Sequence, residues 1–301
     1  MSPVAFILVV PLFAAGMLLL LPFHRTAALL NATASTATFC VALVLFIARP
    51  PPTAFFFVDD FNVYLVALTS FVACTASWFS AGYISHEVEA GHLSTISLRF
   101  YHSMYQVLTL TMLLALVANN IGLMWVAVEA ATLTTVVMVS IYRTRESIEA
   151  AWKYFILGSV GIALALFGTI LIYLAAQPVI GDGIDALAWT NLRAQAASFD
   201  ASVLNLAFVF LLVGYGTKVG LAPLHAWLPD AHAEGPTPIS AVLSGLLLNV
   251  ALYAVLRFKM ILAGNPEALA PGPLMLAMGT ASLLLAGLML YRRRDIKRLF
   301  A

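Results

Sequence analysis

Two charges of opposite sign stand inside apolar runs of this chain. Glu129 lies in IGLMWVAVEAATLTTVVMVSIY, eight residues past Ile121, about 12 Å along a helix that rises 1.5 Å per residue. Lys218 lies fifteen residues into the run that begins at Val203, deeper still. By insertion scales each costs about 2.5–3.5 kcal/mol at membrane depth. Desolvation disfavours the charged form of either group, and an opposite charge brought close restores it. A carboxylate that moves toward and away from an amine therefore changes the amine's hold on its proton, which is the chemistry of a proton relay. The structural alternative is a static ion pair that holds two helices in register. Intramembrane ionisable groups are usually functional, which favours the relay.

The segment around Lys218, GYGTKVGLAPLHAWLPDAHAEGPTP over 214–238, must position it. Pro223, Pro229, Pro236 and Pro238 each remove a backbone donor, so no single straight helix carries the segment. Gly220 and Pro223 mark the expected break. Such a break survives in a bilayer only where protein or a water-filled cavity satisfies the freed carbonyls. Gly216 and Gly220 form a GxxxG step, and Ser240/Ser244 with Ala241/Gly245 repeat small-xxx-small, so close helix approach is expected at both. His225, Asp230, His232 and Glu234 read either as the mouth of a proton pathway, with histidines titrating near neutral pH, or as a solvated rim. Lys153, in SIEAAWKYFILG, either snorkels to headgroups or delivers protons. Asn249 either holds a relay water or joins two helices. No catalytic residue, metal site or cofactor is expected. Cys40 and Cys74 have no redox or metal spacing, and a His-x6-His pair without further ligands matches no usual zinc pattern. A membrane metalloenzyme using His86, His92, His102, His225 and His232 is the third-ranked reading.

The elements follow from composition. Of 301 residues, 62% are hydrophobic and 10% charged, with a net charge of +1 and a mean hydropathy of +0.97. A soluble domain carries about a quarter charged residues, so the chain reads as an all-α polytopic membrane protein, and nothing in its charge suggests a nucleic-acid partner. Uncharged stretches long enough to span give nine candidate helices: 3–22, 27–48, 61–85, 101–119, 121–142, 152–176, 203–231 with its break, 238–260 and 272–291. The sixth is expected to stop before Pro178. Residues 182–200 read as an interfacial loop with a short amphipathic helix, Trp189 at headgroup level. One side collects Arg25, Arg99, Arg143, Arg145, Lys153, Arg292, Arg293, Arg294, Lys297 and Arg298; the other Arg49, Arg193, Arg257 and Lys259. The positive-inside rule makes the first side cytoplasmic, with the N-terminus outside and residue 301 inside.

The stretches VEAATLTTVVMVSIYRTRESIEAAWKYFILGSVGIALALFG and GTKVGLAPLHAWLPDAHAEGPTPISA resemble the antiporter-like proton-pumping subunits shared by respiratory NADH:quinone oxidoreductase, Mrp-type sodium/proton antiporters and membrane-bound nickel–iron hydrogenases. The first stretch looks closest to the large antiporter-like membrane component, component F, of the hydrogenase-4 and formate hydrogenlyase type. The resemblance covers about residues 100–301; the first 99 match only in hydropathy. It implies that Glu129 is the family's fifth-helix glutamate, Lys153 its sixth-helix lysine and Lys218 its broken-helix lysine. Asn249 stands where several relatives carry an eighth-helix lysine, so a water would have to carry the relay past it. The family's two inverted five-helix repeats imply three parts here: helices 1–3 in residues 1–99, a first repeat in 100–263, and the opening of an incomplete second repeat in 264–301. A chain cut short at its C-terminus is the expectation. The implied function is proton translocation within a redox-driven respiratory or hydrogenase complex of a bacterial or archaeal cytoplasmic membrane. Partners would be the bilayer and other membrane and peripheral subunits, with no redox centre in this chain. An Mrp-type Na⁺/H⁺ antiporter subunit is the alternative, with Na⁺ in place of some of the protons.

Overall fold

The computed structural model describes residues 2–21, 24–291 and 295–300. The helices in chain order are α1 (Pro3–Leu20), α2 (His24–Val44), α3 (Asn62–Glu89), α4 (Thr95–Val117), α5 (Ile121–Val139), α6 (Arg145–Ile180), α7 (Trp189–Ala194), α8 (Ala201–Val219), α9 (Leu228–Glu234), α10 (Thr237–Val242), α11 (Leu248–Leu262), α12 (Pro271–Leu290) and α13 (Ile296–Phe300). A π-helical turn, Leu243–Leu247, joins α10 to α11. Among the described residues nine segments are long and apolar enough to cross a membrane, the α10–α11 unit counting as one. That agrees with the all-α polytopic reading. Three of the basic residues behind the orientation, Arg292, Arg293 and Arg294, lie outside the described residues.

Helix α6 is longer than its apolar core. Its 36 residues span about 54 Å, against a hydrocarbon thickness of about 30 Å. It begins at Arg145 because the Thr144 hydroxyl accepts from the Ser147 amide at 3.1 Å, an N-cap. It runs on through Pro178, past the expected stop. A proline in the last turn removes a single backbone bond, and the end is set instead by Gly181, at φ 95°.

Residues 182–200 carry the short helix α7 and pack one face, including Trp189, into the protein. Trp189 is 4% exposed, stacks on Phe57 at 5.3 Å and donates its indole N–H to the Arg257 carbonyl at 2.8 Å. Arg257, counted above as an outer-side charge, is 1% exposed. Its two terminal nitrogens each donate to Asp59 at 2.8 Å, and its guanidinium sits 4.4 Å from the Trp189 ring centroid and 4.8 Å from that of Tyr253. Burial pushes the Asp59 carboxyl up, but the bonds from Arg257 and from the amides of Asn62 and Phe61 outweigh it and hold it below its ordinary value. Asp59→Asn leaves that guanidinium without its counter-charge and is expected to cost about 3–5 kcal/mol, read as unfolding in detergent. A loss under about 1 kcal/mol would contradict the clamp.

The helix contact that matters most for the site is α6 against α8. A β-carbon on Gly214 would come within 2.6 Å of the Gly161 carbonyl oxygen and 2.5 Å of the Ala165 amide nitrogen, so the two backbones touch. The small residues anticipated for close approach are elsewhere. Gly216 faces Leu221 and Met278 at ordinary contact distance, and Gly245 faces Val72 at 3.5 Å. Gly220 ends α8 instead of packing it.

Candidate functional site

Helix α8 stops at Val219 because Gly220 adopts φ 77°, a left-handed conformation that costs a residue without a β-carbon little. The Leu221 amide bonds to the Gly216 carbonyl at 2.9 Å and the Gly220 amide to the Thr217 carbonyl at 3.3 Å, which is the Schellman ending. Side chains hold the break at two further points. Trp227 donates its indole N–H to the Thr217 carbonyl at 2.8 Å, and the Ala222 amide donates to the Ser282 hydroxyl of α12 at 2.8 Å. Pro229 and Pro238 sit in the first turns of α9 and α10, where a missing N–H costs nothing. Pro223 is exposed in the connecting turns.

This ending delivers Lys218 to the junction of α5, α6 and α8. The residue is 1% exposed. Its ammonium donates to the Thr132 hydroxyl at 2.7 Å and lies 3.6 Å from Glu129 Oε2 and 5.9 Å from the centre of the Tyr154 ring. It rests on Gly158, where a β-carbon would come within 2.8 Å of Nζ. Tyr154 is fixed by a 2.8 Å bond between its hydroxyl and that of Thr135 and by stacking on Trp227 at 4.3 Å. The close acceptor is thus neutral Thr132, and the carboxylate stands off by nearly an ångström more. A lysine held by a hydroxyl, with a carboxylate just beyond hydrogen-bond range, has two partners of different charge to choose between. Glu129 and Thr132 are three residues apart on α5 and share a face.

Lys153 lies on α6 five residues before Gly158, about 7.5 Å of rise. It neither snorkels alone nor enters the buried pocket. Its ammonium pairs with Glu149 at 2.8 Å and with Asp230 of α9 at 3.2 Å. Arg298 of α13 adds contacts to Asp230 at 3.4 Å and Glu234 at 3.5 Å. These charges line a cavity of about 210 Å³. A second cavity of about 340 Å³ runs beside the break, lined by Gly220, Ala222, His225, Ser282 and Arg298. His225 is half-buried, with Nε2 3.5 Å from the Met289 sulfur.

His232 departs from both readings made of it. It is 4% exposed, so it is no solvated rim, and burial, helped by nearby Lys297, pushes its imidazole down to about 4. Between pH 6.5 and 4 the unfolded chain therefore binds a proton that the folded chain refuses. Stability should fall as pH drops through that window, by up to about 1.4 kcal/mol per unit. In thermal unfolding across pH 4–7, His232→Gln should flatten this slope; an unchanged slope would contradict the assignment.

Asn249 is exposed, and its amide donates to the Gly245 carbonyl of its own helix at 2.6 Å, beside the π-helical turn. The structure does not bring it to Lys218. Thr132, Tyr154, Gly158 and Trp227 were not anticipated from sequence as parts of the site. The spacing of Gly158, Gly161, Ala165 and Gly168 along α6 was the available signal for a backbone-contact face. Among the described residues no three His, Cys, Asp or Glu side chains group as metal ligands.

Comparison with known proteins places the chain. It belongs to the family described as NADH:quinone oxidoreductase/Mrp antiporter, TM, whose model matches residues 118–301. It is 62% identical over 288 residues to a hydrogenase-4 component F homolog of Methylacidiphilum infernorum, an alignment that covers 95% of this chain and 60% of that protein. It is 32% identical over 206 residues to NADH-quinone oxidoreductase subunit N 1 of Opitutus terrae, covering 67% of this chain and 40% of the relative. The fold matches a chain of the membrane-bound sulfane sulfur reductase, an archaeal respiratory membrane complex, with a TM-score of 0.81 at 21% identity over 99% of this chain and 61% of that one. A chain of respiratory complex I from Thermus thermophilus gives a TM-score of 0.77 at 22% identity, covering 99% and 60%. The chain thus spans about 60% of the length of the first of these relatives.

Proposed function

We propose that this chain is a proton-translocating membrane subunit of a redox-driven respiratory or hydrogenase complex, and that protons pass through Glu129 and Lys218. The observation that carries the reading is the 3.6 Å approach of the two side chains beside a helix break braced by Trp227 and Ser282. Lys218 exchanges its partner between Thr132 and Glu129, and a shift of α5 against α8 by about an ångström changes which one it favours. Lys153, Asp230 and His225 form the entry, next to the two cavities. Gly220 and Pro223 supply the break, and Asn249 lies on the onward side. Residues 100–263 act as one five-helix repeat, preceded by helices 1–3 in residues 1–99 and followed by the start of a second repeat in 264–301. The entry side faces the cytoplasm, as the excess of basic residues on that side supports, ten to three once buried Arg257 is left out. The partners are further membrane and peripheral subunits of a hydrogenase or quinone-oxidoreductase complex, as the names of the relatives suggest.

Glu129→Gln keeps the shape and removes the charge. In the intact complex in sealed vesicles it is expected to lower proton uptake per electron transferred by this subunit's share; uptake at the wild-type level would contradict the reading. The second reading, a Na⁺/H⁺ antiporter subunit, is favoured by the family description, which includes Mrp antiporters. Na⁺-dependent proton movement in the same vesicles without an electron donor would select it.

A further inference from the structure

The first four helices hold a polar seam that takes no part in the Glu129–Lys218 pair. Asn31, Ser35 and Thr38 recur at i, i+4 and i+7 on α2, and His102, Gln106 and Thr109 repeat that spacing on α4. All six are at most 1% exposed. At this spacing each set makes one stripe along its helix, and Gln106 joins the two stripes. Its Nε2 lies 3.0 Å from the Asn31 carbonyl, 2.7 Å from Asn31 Oδ1 and 2.9 Å from Ser35 Oγ. An amide nitrogen has two hydrogens, so three acceptors compete for them. Meanwhile Gln106 Oε1, Asn31 Nδ2 and both ring nitrogens of His102 find no hydrogen-bond partner among the described residues. The threonines satisfy themselves on their own helices, Thr38 on the Ala34 carbonyl at 2.9 Å and Thr109 on the Tyr105 carbonyl at 3.0 Å.

Four orphaned polar atoms on two facing stripes are too many for a dry interior, because each costs about 1–3 kcal/mol when left unpaired. We infer that the α2–α4 seam is a buried water-binding site that links His102 to the side-chain amides of Asn31 and Gln106. The chemistry of the atoms selects the ligand. They comprise one amide acceptor, one amide donor, and an imidazole that offers one of each. Water both donates and accepts, and buried waters typically make about three such bonds. A cation would face the N–H donors of Asn31 and Gln106, and neither stripe carries a carboxylate. The site therefore gives an imidazole at membrane depth, away from Lys218, a partner with which to exchange protons.

The test pairs a map of the whole protein, at a resolution that shows water, with thermal unfolding of two variants. The map should show ordered water within hydrogen-bond distance of a His102 ring nitrogen and of the Asn31 or Gln106 amide. His102→Leu should lower the unfolding midpoint by about 2 °C or more, because the water loses a partner, and His102→Gln should recover at least half of that. In a dry seam, replacing an orphaned polar group by an apolar one relieves its penalty. A His102→Leu midpoint at or above the wild type, or a map with no water in the seam, would overturn the inference. If both variants lose equally, the map alone decides.

Discussion

Gly214→Val is expected to leave no properly folded protein. A β-carbon there would lie 2.5 Å from the Ala165 amide nitrogen and 2.6 Å from the Gly161 carbonyl oxygen, and neither backbone atom can step aside without parting α6 from α8. Overpacking against movable side chains already costs about 1–3 kcal/mol; a clash with two backbone atoms of a packed helix exceeds that range. Size-exclusion chromatography of the detergent extract should show aggregate or nothing. Two neighbours supply the contrast. Gly216→Ala meets its nearest atom, Leu221 Cδ1, at 3.4 Å and should fold normally. Gly158→Ala meets the mobile tip of Lys218 at 2.8 Å, so the chain should fold while the ammonium is pushed off its seat. A soluble, monodisperse Gly214→Val protein would refute the backbone contact that positions the whole site.

Lys218→Ala carries the second large effect, on function first and on stability second. Removing the ammonium leaves the Thr132 hydroxyl without its donor and Glu129 without its counter-charge. Breaking a buried pair from one side typically costs about 3–5 kcal/mol. Adding Glu129→Gln to Lys218→Ala should return part of that loss, because the uncompensated carboxylate goes too. The coupling between the two changes then separates the pair from either residue alone. Proton translocation through this subunit should fall to background in the single and in the double variant, since neutralising Glu129 repairs the electrostatics but not the relay.

The degree to which the sequence foretold these features follows from how local each signal is. Spans are local: a charge-free run of about twenty residues declares itself, and nine such runs correspond to the nine segments. The isolated Glu129 and Lys218 were equally legible, because a charge inside an apolar run needs no partner to be conspicuous. The helix break could be read from Gly220 and four prolines within sixteen residues. What could not be read is what the bundle does between distant residues. Arg257 and Asp59 are 198 positions apart, so the arginine looked like one more exposed basic residue and Trp189 like an interfacial anchor. Each buries the other because α7 sets the Trp189 ring against Arg257 of α11. The same limit hid Thr132, since a threonine in a helix has an ordinary role unless an ammonium arrives from another helix. It also misplaced the close helix contact: GxxxG at Gly216/Gly220 fits the pattern, but only the rotation of α8 shows that Gly214 is the residue that meets α6. His232 erred in the opposite direction. Proximity to acidic residues in sequence suggested a solvated mouth, while the residue is 4% exposed and its backbone carbonyl accepts from the Ser240 hydroxyl at 2.7 Å.

The most direct measurement is the ratio of protons moved to electrons transferred by the intact complex carrying Lys218→Ala, in sealed vesicles beside the wild type. If the chain works in a redox-driven complex and protons pass through Lys218 and Glu129, the ratio falls by this subunit's share while electron transfer persists. A wild-type ratio in a complex shown to contain the substituted chain would contradict the account.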